Sequence, residues 1–478
     1  EHFDLALKRY PDMGKARYYK GMAHLRDGDL YLAEKHLNRA SYDLTYYAAA
    51  HFELAQLTAA QGRYERALDH IQRSINGNGD NVQAWAVKAH ILNRLERTDE
   101  ALVAADKAQE MDPLDLLSLC EKIYVSYSKD GNSYAVEQMV GELLGITRLD
   151  NENHLELAIR FARLGDYRSA VLTLKAMKDS EEKVSPMVYY YQAYYSSILK
   201  DKYAADGALS QAIAGDPTYV FPNRLESYPV LNWALEQNPD DGKARYFLGN
   251  LLRSQGRLDE ALASWEKSVE RVTDNAVVWH NIGQAYAISG DLDKAETALR
   301  KAVEINPGAA MAVEGLDKIL QSKKVSNEQR ITLLEKYDIA INLRDPLLKR
   351  LISMYVQEGR YENALGYLEK HHFHSWEGRY DVHQYWVESN LGMGDKLFAD
   401  GDYDNALKYY QLSLTYPFNL EVAPQPNVIH ARKEYKIASA LEALGKKREA
   451  RKHYKTVAAY EMGADNAYQY YRGKALVA

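Results

Sequence analysis

Ala276-Val277-Val278-Trp279-His280-Asn281-Ile282-Gly283-Gln284-Ala285-Tyr286-Ala287-Ile288-Ser289, then Gly290-Asp291, then Leu292-Asp293-Lys294-Ala295-Glu296-Thr297-Ala298-Leu299-Arg300-Lys301-Ala302, ending at Pro307, is the stretch that decides the fold. It reads as two helices separated by a Gly-Asp turn. Trp279, Ile282, Tyr286 and Leu299 recur at helical spacing. Gly283, Ala295 and Ala302 fall where the two helices would cross, so their backbones can approach while the bulky residues fill the surrounding space.

The spacing repeats along the chain. One period earlier, from 242, come Leu248, Gly249, Leu252, Gly256, Ala261 and Trp265. Three N-terminal units begin at 14, 48 and 82, each 34 residues after the last, with Gly21, Ala33 and Leu37, then Leu54, Ala55 and Ala67, then Trp85, Ala89 and Ala101. Weaker units start near 116, 151 and 186. After a degenerate slot near 310, clear units resume at 345, 387 and 431, and no segment alternates as a strand would. This 34-residue helix–turn–helix resembles the tetratricopeptide repeat (TPR) over essentially the whole chain. The resemblance implies an all-α fold, an α-α superhelix: a right-handed solenoid of about ten to twelve repeats.

The phase breaks at 220–241, where Pro222, Pro229 and Pro239 fall, at 371–386, and at 417–430. Insertions between repeats tend to project on one face. The expected organisation is therefore an N-terminal array over 1–219, a joint over 220–241 and a C-terminal array over 242–478 with loops at 371–386 and 417–430. Stepping back one period places Phe3, Ala6 and Pro11 in the second helix of a repeat, so the first repeat reads as truncated and the chain as a piece of a longer protein.

Composition limits the function. The chain has 478 residues, beyond the size at which single cores stop growing, and a net charge of −7 with no long basic tract. That excludes a nucleic-acid binder, which draws on Lys and Arg against phosphate. There are 38 Tyr against 8 Phe and 6 Trp. Tyr suits helices buried on one side and wet on the other. One cysteine, Cys120, excludes an internal disulfide; its apolar helical surroundings predict a buried, inert thiol. No apolar run reaches membrane-spanning length, so no membrane insertion is expected, and a soluble protein of cytoplasm or periplasm fits.

Residues 221–478 carry a narrower resemblance. Asn238-Pro239-Asp240-Asp241, Ala244-Arg245-Tyr246-Phe247-Leu248-Gly249, Arg344-Asp345-Pro346, Phe373-His374-Ser375-Trp376-Glu377-Gly378 and Tyr416-Pro417-Phe418-Asn419-Leu420 resemble the TPR portion of a family of long bacterial proteins. In that family the repeats follow a β-rich N-terminal domain of unknown function, similar to galactose-mutarotase-like sandwiches. Ser375 stands where the family has Pro, and Arg379 where it has a second Gly. The resemblance implies a partner domain ahead of Glu1 and a carbohydrate connection.

Candidate binding residues follow from the repeat. Positions 2, 5, 9 and 12 of each first helix face the concave groove and escape packing. They give Tyr18, Met22, Phe52, Gln56, His90 and Asn93 in the first array, and Lys243, Tyr246, Asn250, Arg253, His280 and Gln284 in the second. These aromatic and hydrogen-bonding side chains suit a peptide or a glycan. A carboxylate clamp is rejected: Asn250 and Asn281 hold its two Asn positions, but Tyr246, Met311 and Gly315 stand where cations are needed. In the 371–386 loop, His374, Trp376, Glu377, Arg379 and His383 are candidates for contact with a partner domain or a sugar face. His371 and His372 lie beside them. The spacing is not that of a metal site, so no metal is expected; nor are a cofactor or catalytic residues.

The expected function is a non-catalytic scaffold for protein–protein interaction through the groove, with a separate chain or the chain's own absent N-terminal domain as partner. The alternative is the accessory TPR half of a carbohydrate-binding or carbohydrate-active protein. Homo-oligomerisation stays open.

Overall fold

The computed structural model describes residues 2–130, 134–148, 150–179, 184–218, 220–374, 381–423, 430–459 and 466–477. Among them are twenty-eight α-helices and no strand. The chain forms two compact units, Glu1–Val272 and Thr273–Ala478.

The first unit holds α1 (His2–Arg9), α2 (Gly14–Arg26), α3 (Leu30–Ala40), α4 (Tyr47–Ala60), α5 (Tyr64–Gly77), α6 (Val82–Arg94), α7 (Thr98–Met111) and α8 (Leu116–Asp130). It continues with α9 (Tyr134–Thr147), α10 (Asn151–Arg163), α11 (Tyr167–Lys175), α12 (Pro186–Ile198), α13 (Lys202–Ala214), α14 (Ser227–Gln237), α15 (Gly242–Ser254) and α16 (Leu258–Val269). The second unit holds α17 (Ala276–Ser289), α18 (Leu292–Ile305), α19 (Ala310–Ser322), α20 (Asn327–Glu335), α21 (Asp338–Asn342) and α22 (Asp345–Gln357). Then come α23 (Tyr361–Leu368), α24 (Asp381–Ala399), α25 (Tyr403–Leu412), α26 (Ala431–Ala443), α27 (Lys447–Ala458) and α28 (Asn466–Val477). Helices pack in successive pairs, with α1, α14, α21 and α28 outside the pairing. This is the all-helical array of paired helices the sequence predicts.

The small residues do the expected work at the crossings. A Cβ on Gly249 would lie 2.4 Å from the Trp265 ring, and one on Gly283 would lie 2.6 Å from Leu299 Cγ. In both pairs the bulky residue follows its glycine on the partner helix, so helix contact is written into residues sixteen apart. The Gly-Asp turns are equally direct. Gly290 closes α17 at φ 85°, a left-handed conformation that costs glycine little, and Asp291 then accepts the N–H of Lys294 to cap α18. Asp29, Asp166, Asp201 and Asp402 cap α3, α11, α13 and α25 in the same way.

Three regions depart from the reading. The 220–241 segment contains α14, which packs on α12 and α15. Residues 381–386, expected in a loop, open α24, with Val382 and Trp386 in the core. The degenerate slot at 310 is a real pair, α19 and α20, followed by the short α21. Cys120 is half-buried rather than fully buried, and its thiol is pushed far up by burial.

Candidate functional site

In the first unit, α4, α6, α8 and α10 pack on one another, and the candidate side chains of α4 and α6 are largely consumed there. His90 is fully buried, with Nδ1 2.7 Å from Glu121 Oε1, and Asn93 donates to the other Glu121 oxygen at 2.6 Å. Gln56 donates to Glu53 at 3.3 Å, and Glu53 in turn accepts from Arg163 of α10 at 2.8 Å. Burial raises the Glu53 carboxyl, and the Arg163 charge opposes the rise. The turn after α10 presses on α4: a Cβ on Gly165 would lie 2.8 Å from Ala60 Cα.

What remains is a chamber of about 220 Å³ lined by Phe52, Gln56, Val87, Ile159, Arg163 and Arg224. Arg224 reaches it from the segment ahead of α14 and pairs with Glu152 and Glu156 of α10. A wider cleft of about 450 Å³ lies on the other side of that segment, between α10 and the start of α12. Tyr18 and Met22 are half-buried, and Tyr18 sits against Tyr19 and Tyr46. Burial beside Glu53 pushes the Tyr18 hydroxyl up to about 12.

The candidates of α15 divide similarly. Lys243 donates to the carbonyls of Ile213 and Gly215. Tyr246 is buried, and Asn250 accepts from the Trp265 indole at 3.1 Å. Arg253 is exposed. On α17, His280 is half-buried with its imidazole lowered by burial, and Gln284 lies over Gly315 of α19.

The second unit carries an open groove of about 400 Å³ across α19, α20, α22 and α24. Glu314, Lys318 and Gln321 face it from α19, and Lys349 and Ser353 from α22. These are positions 5, 9 and 12 counted from 310 and positions 5 and 9 counted from 345. The same rule that gave the candidates above would have found them, had it been applied to the degenerate slot at 310 and to the clear unit at 345. Beneath the groove Asp317 is fully buried. It accepts two bonds from Arg330, at 2.8 and 2.9 Å, and one from Arg350 Nε at 2.6 Å. Arg350 also holds Gln321 at 2.8 Å, and Lys349 pairs with Asp381 at 3.2 Å. One buried carboxylate thus fixes two guanidinium groups at the floor.

The loop histidines are structural fasteners. Asp345 accepts the His374 N–H at 2.7 Å and lies 2.8 Å from His371 Nε2. Asn419 donates to the carbonyls of Leu368 and His371, and its own carbonyl accepts the Phe373 N–H at 2.8 Å. His372 meets Glu421 at 2.8 Å. His383 stacks on Tyr416 with centroids 3.9 Å apart. Trp376, Glu377 and Arg379 lie outside the described residues. Among the described residues no group of three His, Cys, Asp or Glu side chains is placed to hold a metal. No described helix is long and apolar enough to cross a membrane.

Residues 1–45, 52–115 and 240–307 match family models of the tetratricopeptide repeat. The chain is 23% identical over 283 residues to the TPR repeat-containing protein MJ1428 of Methanocaldococcus jannaschii, covering 56% of this chain and 46% of that protein. It is 30% identical over 112 residues to human protein O-mannosyl-transferase TMTC1, covering 23% and 13% respectively. The chain therefore spans less than half the length of these curated relatives. Solved structures similar to it include YrrB, described as a TPR protein with an unusual peptide-binding site, at 21% identity and TM-score 0.19, covering 53% of this chain and 98% of that one. MamA from Desulfovibrio magneticus RS-1 matches at 20% identity and TM-score 0.23, covering 40% and 94%. Proteins of this repeat generally bind protein or peptide partners and act as non-catalytic scaffolds. The matched segments of this chain are tetratricopeptide repeats, set in an all-helical array of paired helices.

Proposed function

We propose that the chain is a non-catalytic scaffold that binds an extended, acidic segment of a protein partner in the groove of α19, α20, α22 and α24. The supporting observation is that groove itself. Its volume is about 400 Å³, and Lys318, Arg330, Lys349 and Arg350 line it against the carboxylates of Glu314 and Asp381. With Asp317 beneath counted too, cations still exceed anions locally, in a chain whose net charge is −7. The groove's cations are themselves paired, Lys318 with Glu314 at 2.6 Å, Lys349 with Asp381 at 3.2 Å, and Arg330 and Arg350 with Asp317, so an acidic segment binds by exchanging with these carboxylates. The partner segment belongs to a separate chain or to a further domain of a longer protein.

Selecting binders to the whole chain from a displayed peptide library tests this. Acidic peptides are expected, with affinity falling at least tenfold in the Lys318→Ala, Lys349→Ala double variant. Binders indifferent to both substitutions would remove the groove from the account. Oligosaccharide binding by the same chain, without peptide binding, would favour the carbohydrate alternative instead.

A further inference from the structure

The helices α5, α7, α14 and α18 end in one shared turn. Asn78, Asp112, Asn238 and Asn306 hold their C-cap positions, at φ −150°, −142°, −137° and −134°, all extended. Each side chain folds over the next peptide bond and accepts the N–H two residues on: from Asp80 at 3.3 Å, Leu114 at 3.0 Å, Asp240 at 3.2 Å and Gly308 at 3.0 Å. The residue between is Pro113, Pro239 or Pro307 in three of these turns and Gly79 in the fourth. Extended backbone is what a residue ahead of proline requires. Gly79 therefore stands in a proline's place, and it alone of these residues supplies an N–H there.

Among the described residues that N–H donates to no acceptor, while the Gly79 carbonyl takes the Trp85 indole N–H at 2.9 Å. Asn78 and Gly79 are both exposed, so water reaches the turn. The bond from Asp80 draws charge onto Asn78 Oδ1 and leaves Cγ more open to attack. The flanking frame is fixed on both sides: Asn78 donates its own N–H to the Ser74 carbonyl at 2.8 Å, and Asn81 caps α6. Asn76-Gly77 is the same dipeptide in another setting. Gly77 is the last residue of α5, so its N–H belongs to the helix ladder, and Asn76 Oδ1 accepts from Gln72 at 2.8 Å.

We propose that Asn78 is a self-modification site, converted to aspartate and isoaspartate by attack of the Gly79 backbone nitrogen, with water as the only co-reactant. The Gly79 nitrogen bonds to Asn78 Cγ and loses its proton; the Cγ–Nδ2 bond breaks, and Nδ2 leaves as ammonia with the equivalent proton. The result is a cyclic imide. Water then opens it at one of its carbonyls, and nothing is oxidised or reduced. Opening between the nitrogen and Cγ gives aspartate, the residue type that Asp112 already carries in the next such turn. Opening between the nitrogen and the Asn78 main-chain carbonyl gives isoaspartate. That product routes the backbone through Cβ and Cγ and lengthens the joint between α5 and α6 by one carbon. Either product adds a negative charge. This site is separate from the groove of α19–α24 and does not depend on what that groove binds.

Ageing the whole chain in mildly alkaline buffer, followed by peptide mapping that separates aspartate from isoaspartate, tests the proposal. Both products are expected at 78, forming roughly tenfold or more faster than at 76. Asn238 and Asn306, each followed by proline, are expected unchanged. Gly79→Pro should abolish both products, because it removes the attacking N–H while copying the other turns; a Cβ at 79 meets only the Ile75 carbonyl oxygen, at 3.7 Å. Asparagine retained at 78 in the wild type, or conversion there no faster than at 76, overturns the site. Aspartate without isoaspartate, or equal conversion in the variant, overturns the route through Gly79. Should Gly79→Pro fail to fold, the wild-type comparison of 78 with 76, and the presence of isoaspartate at 78, decide alone.

Discussion

Two side chains of the second unit contribute to its pH behaviour, with effects of opposite sign at neutral pH. Burial lowers the Lys433 amine to about 8 from its ordinary 10.5, with Glu388 opposing. Between those values the unfolded chain binds a proton that the folded one has released, so stability rises with pH across that window. Lys433→Met removes the rise and is expected to stabilise the protein at neutral pH by about 1–3 kcal/mol in denaturant unfolding. Asp345 has the opposite sign. Burial would raise its carboxyl, but bonds from His374 and His371 hold it below the usual range. Its contribution is present above the ordinary carboxylate range and is lost as pH falls through the lowered value. Asp345→Asn should cost about 1–3 kcal/mol at neutral pH, a difference that closes in acid. Neither role was legible in the sequence. Lys433 sits outside the groove positions of its repeat, and His374 drew notice for its side chain when its backbone N–H makes the contact.

At the scale of the helix pair, the sequence was most readable. The Gly and Ala crossings and the Gly-Asp turns are local consequences of sterics, and they recur wherever the residues recur. The weak units show the same geometry with the wrong residue in place. Glu96 and Lys324 stand 34 residues after Gly62 and Gly290, and they keep the left-handed turn at φ 60° and 58°. A side chain there is strained, so Glu96→Gly and Lys324→Gly should each raise stability by about 1 kcal/mol, read as a shifted denaturation midpoint. The packing of α10 on α4 could not be read this way. Glu53 and Arg163 are 110 residues apart, and their meeting depends on the small rotations accumulated over the intervening pairs. Hence His90, Asn93 and Gln56 lie at groove positions yet are spent inside the unit. Arg224 fastens the segment ahead of α14 to α10. Arg224→Ala should speed hydrogen exchange in the amides of α10 while leaving α17–α20 unchanged.

For the whole molecule, the account assigns different work to the two units. The first uses its inner helices to hold itself together; the second leaves a polar groove open, its cations paired with the carboxylates that line and underlie it. The period made the solenoid legible along the chain, while the choice of binding face depended on which inner residues find partners within their own unit. The most direct measurement is photo-crosslinking of a library-selected acidic peptide to two versions of the full chain. One carries a benzophenone amino acid in place of Ser353 in the groove, the other in place of Phe52 in the first unit's chamber. The account predicts crosslinks from position 353 and none from position 52. Crosslinking from position 52 alone would contradict it and return the binding surface to the first unit.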